Sequence, residues 1–393
     1  MQEASATDAF CFGAPTLYAP GSGKCRGIRR EAKFGELHRK AVPDDVCKFF
    51  HLDLWLRLAK NICVPDHEGI RSLYQQSEMR NKLMKKQWLG IAVTLCLASC
   101  ALAQTNSQIH ALRVYDKNHP PSGKCAFNTP CFIDYNGGPV FEKTPTVYII
   151  WYGNWTAKDK SIIDYYFAHL GGTTQMKINT IYTDFANKSV PIKVNHSAKD
   201  DYHDNYSLGK NLSGDGQIQQ IVANAISNDH LPSIVNGIYF VLTYKDVNLP
   251  GFCTSFCGYH SPSTSIVNGK VIKYSMVGNP AQCPDNCEVS RIVGDPGSPN
   301  NDPGADGTVS IMWHEFSETV TDPDAGLDSA WVGNYCGENG DCCAYIFGNL
   351  HIDAHGHKYT NTIGTKHFIT QEMFKLKKKT RGIKLPGVCK QVF

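Results

Sequence analysis

A histidine and two glutamates stand at a spacing that suits metal chemistry, in the run His-Glu-Phe-Ser-Glu of residues 314–318. On a helix, His314 and Glu318 lie one turn apart on the same face, and Glu315 lies one step round. A helix with this pattern offers two metal ligands and a carboxylate that takes a proton from a polarised water. The pattern predicts a metal site with His314 and Glu318 as ligands and Glu315 as the catalytic general base.

A metal bound in this way needs a third protein ligand. Glu338 and Asp341 follow the helix in the acidic run Gly-Glu-Asn-Gly-Asp, and His355 and Asp322 are the alternates. A zincin helix usually has histidine at the second ligand position, and a glutamate there shifts the expectation toward a harder ion. We therefore expect a divalent metal, with zinc first and calcium as the alternative.

Two other interpretations of these residues remain open. A surface helix would also carry them opposite its apolar stripe, and Asp322, Asp324 and Asp328 could instead line a calcium loop. Against the surface helix, acidic residues in the C-terminal half of a helix oppose its macrodipole. Crowded carboxylates of this kind favour a bound cation.

The helix that positions these residues has clear limits in the sequence. Asp302 and Pro303 provide a start, apolar residues then recur at three- and four-residue spacing, and Pro323 ends the pattern. The sequence predicts a helix over residues 306–320.

Strand and helix patterns alternate upstream of this helix. Residues 146–152 are β-branched and aromatic without charge, which is typical of a strand buried on both faces. Further helices are predicted over residues 157–170 and 217–226, and further strands over residues 191–194, 237–244 and 271–277. Residues 104–140 are predicted as an irregular lead-in, and residues 251–306 as a loop region. We predict one α/β domain with a mixed, largely buried sheet, flanking helices and a disulfide-rich, loop-rich C-terminal half.

Residues 84–103 have the pattern of a signal peptide. Met84 and two lysines form a basic start, an uncharged apolar run follows, and Ala-Leu-Ala precedes Gln104. The run is shorter than the roughly 20 residues of a membrane span, so a signal anchor is the weaker alternative. Cys100 offers a lipoprotein-type site as another alternative. We expect cleavage before Gln104 and secretion.

A signal peptide belongs at the N-terminus of a chain, yet residues 1–83 precede this one. They show no sustained apolar periodicity, and we predict that they are a disordered extension produced by a wrongly chosen start codon. Met79 or Met84 is then the true start. The mature protein would be a single domain over residues 104–393.

The mature chain carries ten cysteines, an even number that favours disulfides formed in an oxidising compartment. They are Cys125, Cys131, Cys253, Cys257, Cys283, Cys287, Cys336, Cys342, Cys343 and Cys389. A bridge between Cys125 and Cys131 is expected, and the other connectivities are open. The two Cys-x3-Cys units would also suit a four-thiolate zinc site, which we rank below disulfides.

Asparagine sequons and net charge bear on the partners. Five Asn-x-Ser/Thr sequons, which predict exposed glycosylated loops, lie at Asn154, Asn187, Asn195, Asn205 and Asn211. The net charge of +3 gives no basis for nucleic-acid binding, and the mature sequence contains no stable membrane span and no indication of oligomeric state. A basic run between residues 375 and 384 suits an acidic glycan or membrane surface, although such runs are usually solvated.

Several short motifs resemble the EXORDIUM-like, phosphate-induced protein family. They are Gly137-Gly138-Pro139-Val140, Ile149-Ile150-Trp151-Tyr152-Gly153-Asn154-Trp155, Lys273-Tyr274-Ser275-Met276-Val277-Gly278-Asn279-Pro280, Cys283-Pro284-Asp285-Asn286-Cys287, Asp306-Gly307, Glu318-Thr319-Val320-Thr321-Asp322-Pro323 and Ala354-His355-Gly356. The resemblance implies a secreted or cell-wall protein linked in plants to growth and cell expansion. Plant members tend to have Thr-Asn-Pro at residues 321–323 and to lack the acidic run after the helix. The chain is therefore similar to a microbial-type branch, and the metal site depends on its own residues.

The leading functional hypothesis is a metal-dependent hydrolase, with a peptidase as its first form and a peptide or cell-wall component as its partner. Serine-elbow, Walker and dinucleotide glycine patterns are absent, and the even cysteine count argues against a cysteine nucleophile. The alternative is a non-catalytic extracellular signalling or wall-binding protein in which the same helix is structural.

Overall fold

The computed structural model describes residues 110–119, 132–267, 270–333, 336–376 and 385–390. They all belong to one compact unit within Cys96–Phe393. The predicted extension and signal peptide lie outside the described residues, as do Cys125 and Cys131, so these assignments stay predictions.

The described chain contains many short strands and six α-helices. The strands are β1 (His110–Arg113), β2 (Phe132–Tyr135), β3 (Thr146–Tyr152), β4 (Asn195–His196), β5 (Tyr202–Asp204), β6 (Gly237–Thr243), β7 (Phe256–Val267), β8 (Lys270–Gly278), β9 (Trp331–Val332), β10 (His351–Ile352), β11 (Lys358–Tyr359), β12 (Asn361–Ile363), β13 (Lys366–Phe368), β14 (Met373–Leu376) and β15 (Leu385–Lys390). The helices are α1 (Ala157–Leu170), α2 (Thr174–Lys177), α3 (Asp215–Ser227), α4 (Pro284–Cys287), α5 (Val289–Ile292) and α6 (Pro303–Thr321).

Seven strands among these residues form one mixed sheet in the order β1-β7-β8-β6-β3-β4, with β5 also paired to β3. β3, β6 and β8 run parallel, whereas β7 is antiparallel to both β8 and β1. β6 is buried along its whole length and β3 along nearly all of it, as expected for uncharged strands covered on both faces. The predicted mixed α/β architecture is confirmed.

Helices cover both faces of this sheet. Successive side chains of a strand point to opposite faces. On β7, the Tyr259 hydroxyl donates to Asp215 of α3 at 2.8 Å, and the next side chain, His260, lies 3.1 Å from Glu315 of α6. α3 and α6 therefore lie on opposite faces. α1 shares the face of α6, where the Phe167 ring centre is 5.7 Å from that of an α6 phenylalanine.

α6 begins and ends close to its predicted limits. The Asp302 side chain caps it by accepting a hydrogen bond from Ala305 N at 3.1 Å, and Pro303 occupies the first helical position, where no amide hydrogen is needed. The last helical residue is Thr321. The helix is thus one turn longer at its start than the apolar pattern indicates.

α6 is buried on all sides, from Gly304 to Thr321. The sheet and α1 cover one side, and the chain after the helix covers another, where Trp313 Nε1 donates to Gln371 O at 3.3 Å. The interpretation of α6 as a solvated surface helix is therefore wrong. Its polar residues are held away from water, which makes their partners decisive for stability.

Three predictions about strands differ from the structure. The lead-in predicted as irregular contains β1 and β2, and residues 191–194 are not a strand, because pairing begins at Asn195. The predicted loop region of residues 251–306 contains the long strand β7. Its glycine, serine and proline content hid it from a propensity argument, and its register with β8 shifts between Ser263 and Val267.

Four disulfides connect the described cysteines: Cys253–Cys283, Cys257–Cys287, Cys336–Cys342 and Cys343–Cys389. Each cysteine of the first Cys-x3-Cys unit is bonded to a cysteine of the second unit, in the same order along the chain. All four thiols are therefore in disulfides, and the four-thiolate zinc alternative is wrong. The asparagines of the five sequons are all exposed. Within the residues that the structure covers, no helix has the length and apolarity to cross a membrane.

Candidate functional site

α6 presents three fully buried polar side chains to the space between the sheet and the loop that follows the helix. His314, Glu315 and Glu318 are each 0% exposed. His314 Nε2 lies 3.1 Å from Glu318 Oε1, as the one-turn spacing predicts. A buried ionisable group needs a partner of opposite charge or a metal, so this face of α6 is the candidate site.

The loop after α6 brings Asp341 to this pair. Asp341 Oδ1 lies 3.6 Å from His314 Nε2, and the Asp341 amide donates to Glu318 Oε1 at 2.8 Å. One ligand atom from each of His314, Glu318 and Asp341 lies within 4.8 Å of the others. The loop approaches closely because Gly340 has no side chain: a Cβ there would be 2.8 Å from Glu318 Oε1. These three residues could hold one metal ion.

β7 contributes a histidine that the sequence analysis missed. His260 Nδ1 lies 3.1 Å from Glu315 Oε2 and 3.4 Å from Glu318 Oε2, and its Nε2 lies 3.4 Å from Glu338 Oε2. His260, Glu315 and Glu318 form a second set of converging ligand atoms. Glu318 belongs to both sets, with one carboxylate oxygen directed to each histidine.

Glu338 lies on the far side of this second set. Its carboxylate contacts His260 and, at 2.8 Å, Nδ1 of His110 on β1, not His314. The structure thus brings Asp341, rather than Glu338, to the predicted ligand pair. The strand alternation of Gly258 and His260 could have indicated an inward-facing histidine, but no sequence feature indicated His110.

The alternate ligands lie elsewhere or have partners. His355 is exposed in the turn between β10 and β11. Asp322 is buried at the end of α6, where Oδ1 accepts from Ala330 N at 2.6 Å. Asp324 pairs with Lys273 at 2.9 Å, and Asp328 is exposed. The structure does not gather these aspartates into the predicted calcium loop.

Burial and the neighbouring charges shift the pKa values of the carboxyl groups in and beside the site. Burial, followed by the nearby Asp341 charge, raises the pKa of Glu318 to about 8, and burial with the charge of Glu338 raises the pKa of Asp322 to about 7. Burial would also raise the pKa of Glu338, but the charge of His260 and contact with a second histidine outweigh it and hold this pKa at about 2. Two carboxyls in the site therefore keep a proton where isolated ones would lose it.

The pKa values of two buried histidines are raised as well. Burial would lower the pKa of His260 and of His314, but the carboxylates around them outweigh this and raise both pKa values well above the usual range. Four carboxyl groups, from Glu315, Glu318, Glu338 and Asp341, face three imidazoles, including that of His110. If all four carboxyl groups were ionised, they would carry one negative charge more than three protonated imidazoles balance, and the proton that Glu318 keeps offsets this charge.

Several buried atoms of the site lack hydrogen bonds. Both ring nitrogens of His314 and the Glu318 Oε2 atom have no partner of hydrogen-bonding geometry among the residues that the structure describes. Buried polar atoms in folded proteins are nearly always satisfied. Several unsatisfied buried atoms in one region are typical of a site that receives a ligand.

The fold and the site define an α/β domain with a buried histidine and carboxylate centre on its longest helix. The family model described as the phosphate-induced protein 1 conserved region matches residues 133–379. The chain therefore belongs to the phosphate-induced, EXORDIUM-like family. The matched range includes α6, His260 and the acidic loop, whereas β1 precedes it.

Curated relatives are plant proteins. The chain is 31% identical to Protein EXORDIUM-like 5 of Arabidopsis thaliana over 245 residues, covering 55% of this chain and 65% of that protein. It is 32% identical to Protein EXORDIUM-like 3 of the same plant, covering 55% and 69%. Protein PHOSPHATE-INDUCED 1 of Nicotiana tabacum is 29% identical, covering 57% and 81%. No solved structure matches the chain.

Proposed function

We propose that this protein is a secreted, metal-dependent hydrolase that cleaves peptides. The observation that carries the proposal is the convergence of buried carboxyl groups and imidazoles around α6, several of whose atoms have no hydrogen bond. A divalent cation would displace the proton of Glu318 and take His314 Nε2 and the carboxylates of Glu318 and Asp341 as ligands.

His314, Glu318 and Asp341 would hold the metal in this proposal. Nitrogen and carboxylate ligands in this number suit a catalytic zinc site, and the carboxylates also suit calcium. Glu315 lies outside this set, one residue beyond His314, where it is available for proton transfer. The Gly340 backbone lies close to both Glu318 and His314 on the loop side.

The metal, when bound, supplies a water of lowered pKa and polarises the carbonyl group. Glu315 takes the proton of the attacking water and gives it to the leaving nitrogen as the C–N bond breaks, which yields a carboxylate and an amine. His260 holds the base in place, because its Nδ1 lies 3.1 Å from Glu315 Oε2. His260 is thus a positioning residue for Glu315.

Secretion is supported by four disulfides, which persist in oxidising compartments. N-terminal sequencing of the native protein tests it, and the expected first residue is near Gln104. A start at Met1 or Met79 would contradict cleavage.

A non-catalytic binding protein is the second candidate. One observation favours it: β1 covers the sheet edge beside the centre, and Leu112 N donates to Glu315 Oε1 at 3.3 Å. In that case the centre would be a structural feature that fixes the N-terminal strand.

A cleavage assay separates the two candidates. The full-length protein is loaded with zinc, incubated with a peptide library from a digested proteome, and analysed by mass spectrometry for new termini. The matched control is the same protein stripped with a chelator. New termini that require the metal support the hydrolase, whereas equal peptide profiles with and without bound zinc would remove it and leave the binding protein.

A further inference from the structure

β1 closes the edge of the main sheet beside the centre. It pairs antiparallel with β7, with His110 opposite His260, Ala111 opposite Tyr259 and Leu112 opposite Gly258. The other side of β7 pairs with β8. Without β1, the strand that carries His260 would therefore present a row of free backbone groups, which is a template for pairing with an extended chain.

β1 also places a peptide group against the candidate base. Leu112 N, the nitrogen of the Ala111–Leu112 peptide bond, donates to Glu315 Oε1 at 3.3 Å. His110, two residues earlier, contacts Glu338 of the acidic loop at 2.8 Å. An extended segment thus lies across the centre with one of its amide groups at the residue proposed to move the proton.

Main-chain contacts continue past the strand. Val114 N donates to Ser255 O at 3.3 Å, and Tyr115 N donates to Asn286 O at 2.8 Å. Leu112, at 2% exposure, is the side chain of β1 that is fully buried. The segment is held by backbone hydrogen bonds together with three side chains: the buried Leu112, His110 at Glu338 and Tyr115 against the Tyr345 ring. Backbone pairing with a few side-chain contacts is how sheet edges bind extended peptides.

We propose that the edge of β7 is a binding site for extended peptides, and that residues 110–115 occupy it in cis and compete with substrate, which holds cleavage by the intact protein at a low but measurable rate. The substrate class is an extended chain, antiparallel to β7, with an aliphatic side chain at the position of Leu112. This inference rests on the proposed function, because the amide at Glu315 has catalytic meaning only if Glu315 is a base.

The exposed turn after the segment allows residues 110–115 to be released by proteolysis of the whole protein. Residues 116–119 are all exposed. A recognition sequence for a specific protease is inserted after Lys117 in the full-length chain, and the protein is used uncut and cut. The probe is a fluorescent peptide with the sequence of residues 108–115, offered in excess to both forms.

The cut protein is expected to exchange its own segment for the probe and to bind it saturably, while the uncut protein does not. A probe N-methylated at the Leu112 nitrogen lacks the donor to Glu315 and should bind about tenfold more weakly or worse, as expected for loss of a hydrogen bond to a charged group. Zinc-dependent cleavage of library peptides should rise on cutting.

Three results would overturn the inference: equal probe binding by the uncut form, no binding by a folded cut form, or loss of the fold on cutting, which would make β1 a structural strand. The same experiment distinguishes failure of this inference from failure of the proposed function. Probe binding without metal-dependent cleavage would refute the hydrolase and keep the peptide site, whereas equal cleavage by both forms would keep the hydrolase and refute competition by residues 110–115.

Discussion

The cluster around His196 on β4 and the centre around α6 contain the same residue types but differ in how their polar atoms are satisfied. In the His196 cluster, Asp201 accepts from Ile149 N and from Trp151 Nε1, both at 3.1 Å. The imidazole lies 3.2 Å from Asp164 on one side and 3.2 Å from a backbone carbonyl on the other. Both ring nitrogens and both Asp201 oxygens therefore have a protein partner.

In the α6 centre, several polar atoms have no such partner. His314 and Glu318 touch, yet both imidazole nitrogens and one carboxylate oxygen have no hydrogen bond among the described residues. The comparison teaches that composition alone does not define a ligand site. The satisfied cluster stabilises the sheet edge, whereas the unsatisfied and more deeply buried one is suited to binding a cation.

Replacement of Glu318 should produce the largest effect. Glu318→Gln keeps the shape and an acceptor for Asp341 N but removes the charge shared by both ligand sets. We expect zinc affinity, measured by isothermal titration, to fall more than about 100-fold, beyond the range for outer-shell changes. The matched control is Asp201→Asn, a buried carboxylate of the satisfied cluster, which should leave zinc affinity unchanged. An equal loss in both variants would erase the distinction between the clusters.

Glu315 should separate metal binding from turnover. Glu315→Gln preserves the contacts to His260 and Leu112 in shape but cannot accept a proton. We expect zinc to be retained and metal-dependent peptide cleavage to fall by about 10²- to 10⁴-fold, the usual contribution of a general base. Cleavage at the wild-type rate would exclude Glu315 as the base. Loss of zinc together with activity would make Glu315 a ligand.

The approach of the acidic loop can be weakened without removing a donor. In Gly340→Ala, the new Cβ would lie 2.8 Å from Glu318 Oε1 and 2.9 Å from His314 Nδ1, so the loop must shift. We expect zinc affinity to fall by about 10-fold, within the range of outer-shell changes. Gly216→Ala on α3 is the control, because nothing lies within 4 Å of its Cβ position. Unchanged affinity in Gly340→Ala would place the metal away from this loop.

The His196 cluster should affect the free energy of unfolding and the way in which that free energy depends on pH. Burial raises the pKa of Asp201 from 3.8 to about 7. The folded state therefore binds more protons than the unfolded state between these values, and the free energy of unfolding should fall as pH rises from about 4 to about 7. Burial would lower the pKa of His196, but the hydrogen bond to Asp164 and nearby charge raise it, which acts in the same direction.

Asp201→Asn tests this smaller effect by chemical denaturation at several pH values. The variant should be less stable at pH 5 by about 1–3 kcal/mol, because its amide nitrogen meets the Trp151 N–H. Its unfolding free energy should also depend less steeply on pH than that of the wild type. A slope equal to the wild type would mean that Asp201 does not carry the titration.

The parts of the molecule that could be predicted from the sequence are those fixed by local periodicity. β3 and α1 match their predicted residues, and α6 differs only at its ends. The burial pattern and the capping residues of such elements are determined by residues that are close together in the sequence. The pairing of His260 with Glu315 joins residues 55 apart, and β7 that carries His260 is rich in residues of low strand propensity. Such contacts are set by sheet register, which no local pattern specifies.

The acidic loop shows the same division. Asp341 and Glu338 could be singled out because they follow the helix at a short distance in the sequence. That Asp341 contacts His314 and Glu338 contacts His260 depends on how the loop folds around Gly340. His110 could not be found, because its role depends on an N-terminal strand joining the sheet at its far edge.

The metal content of the purified protein tests the central claim most directly. Wild-type protein and Glu318→Gln are equilibrated with zinc, calcium and manganese, dialysed, and measured by inductively coupled plasma mass spectrometry. The account predicts about one divalent ion per wild-type chain, as for a single catalytic site, and almost none in the variant. A folded wild-type protein that retains none of the three metals would contradict it.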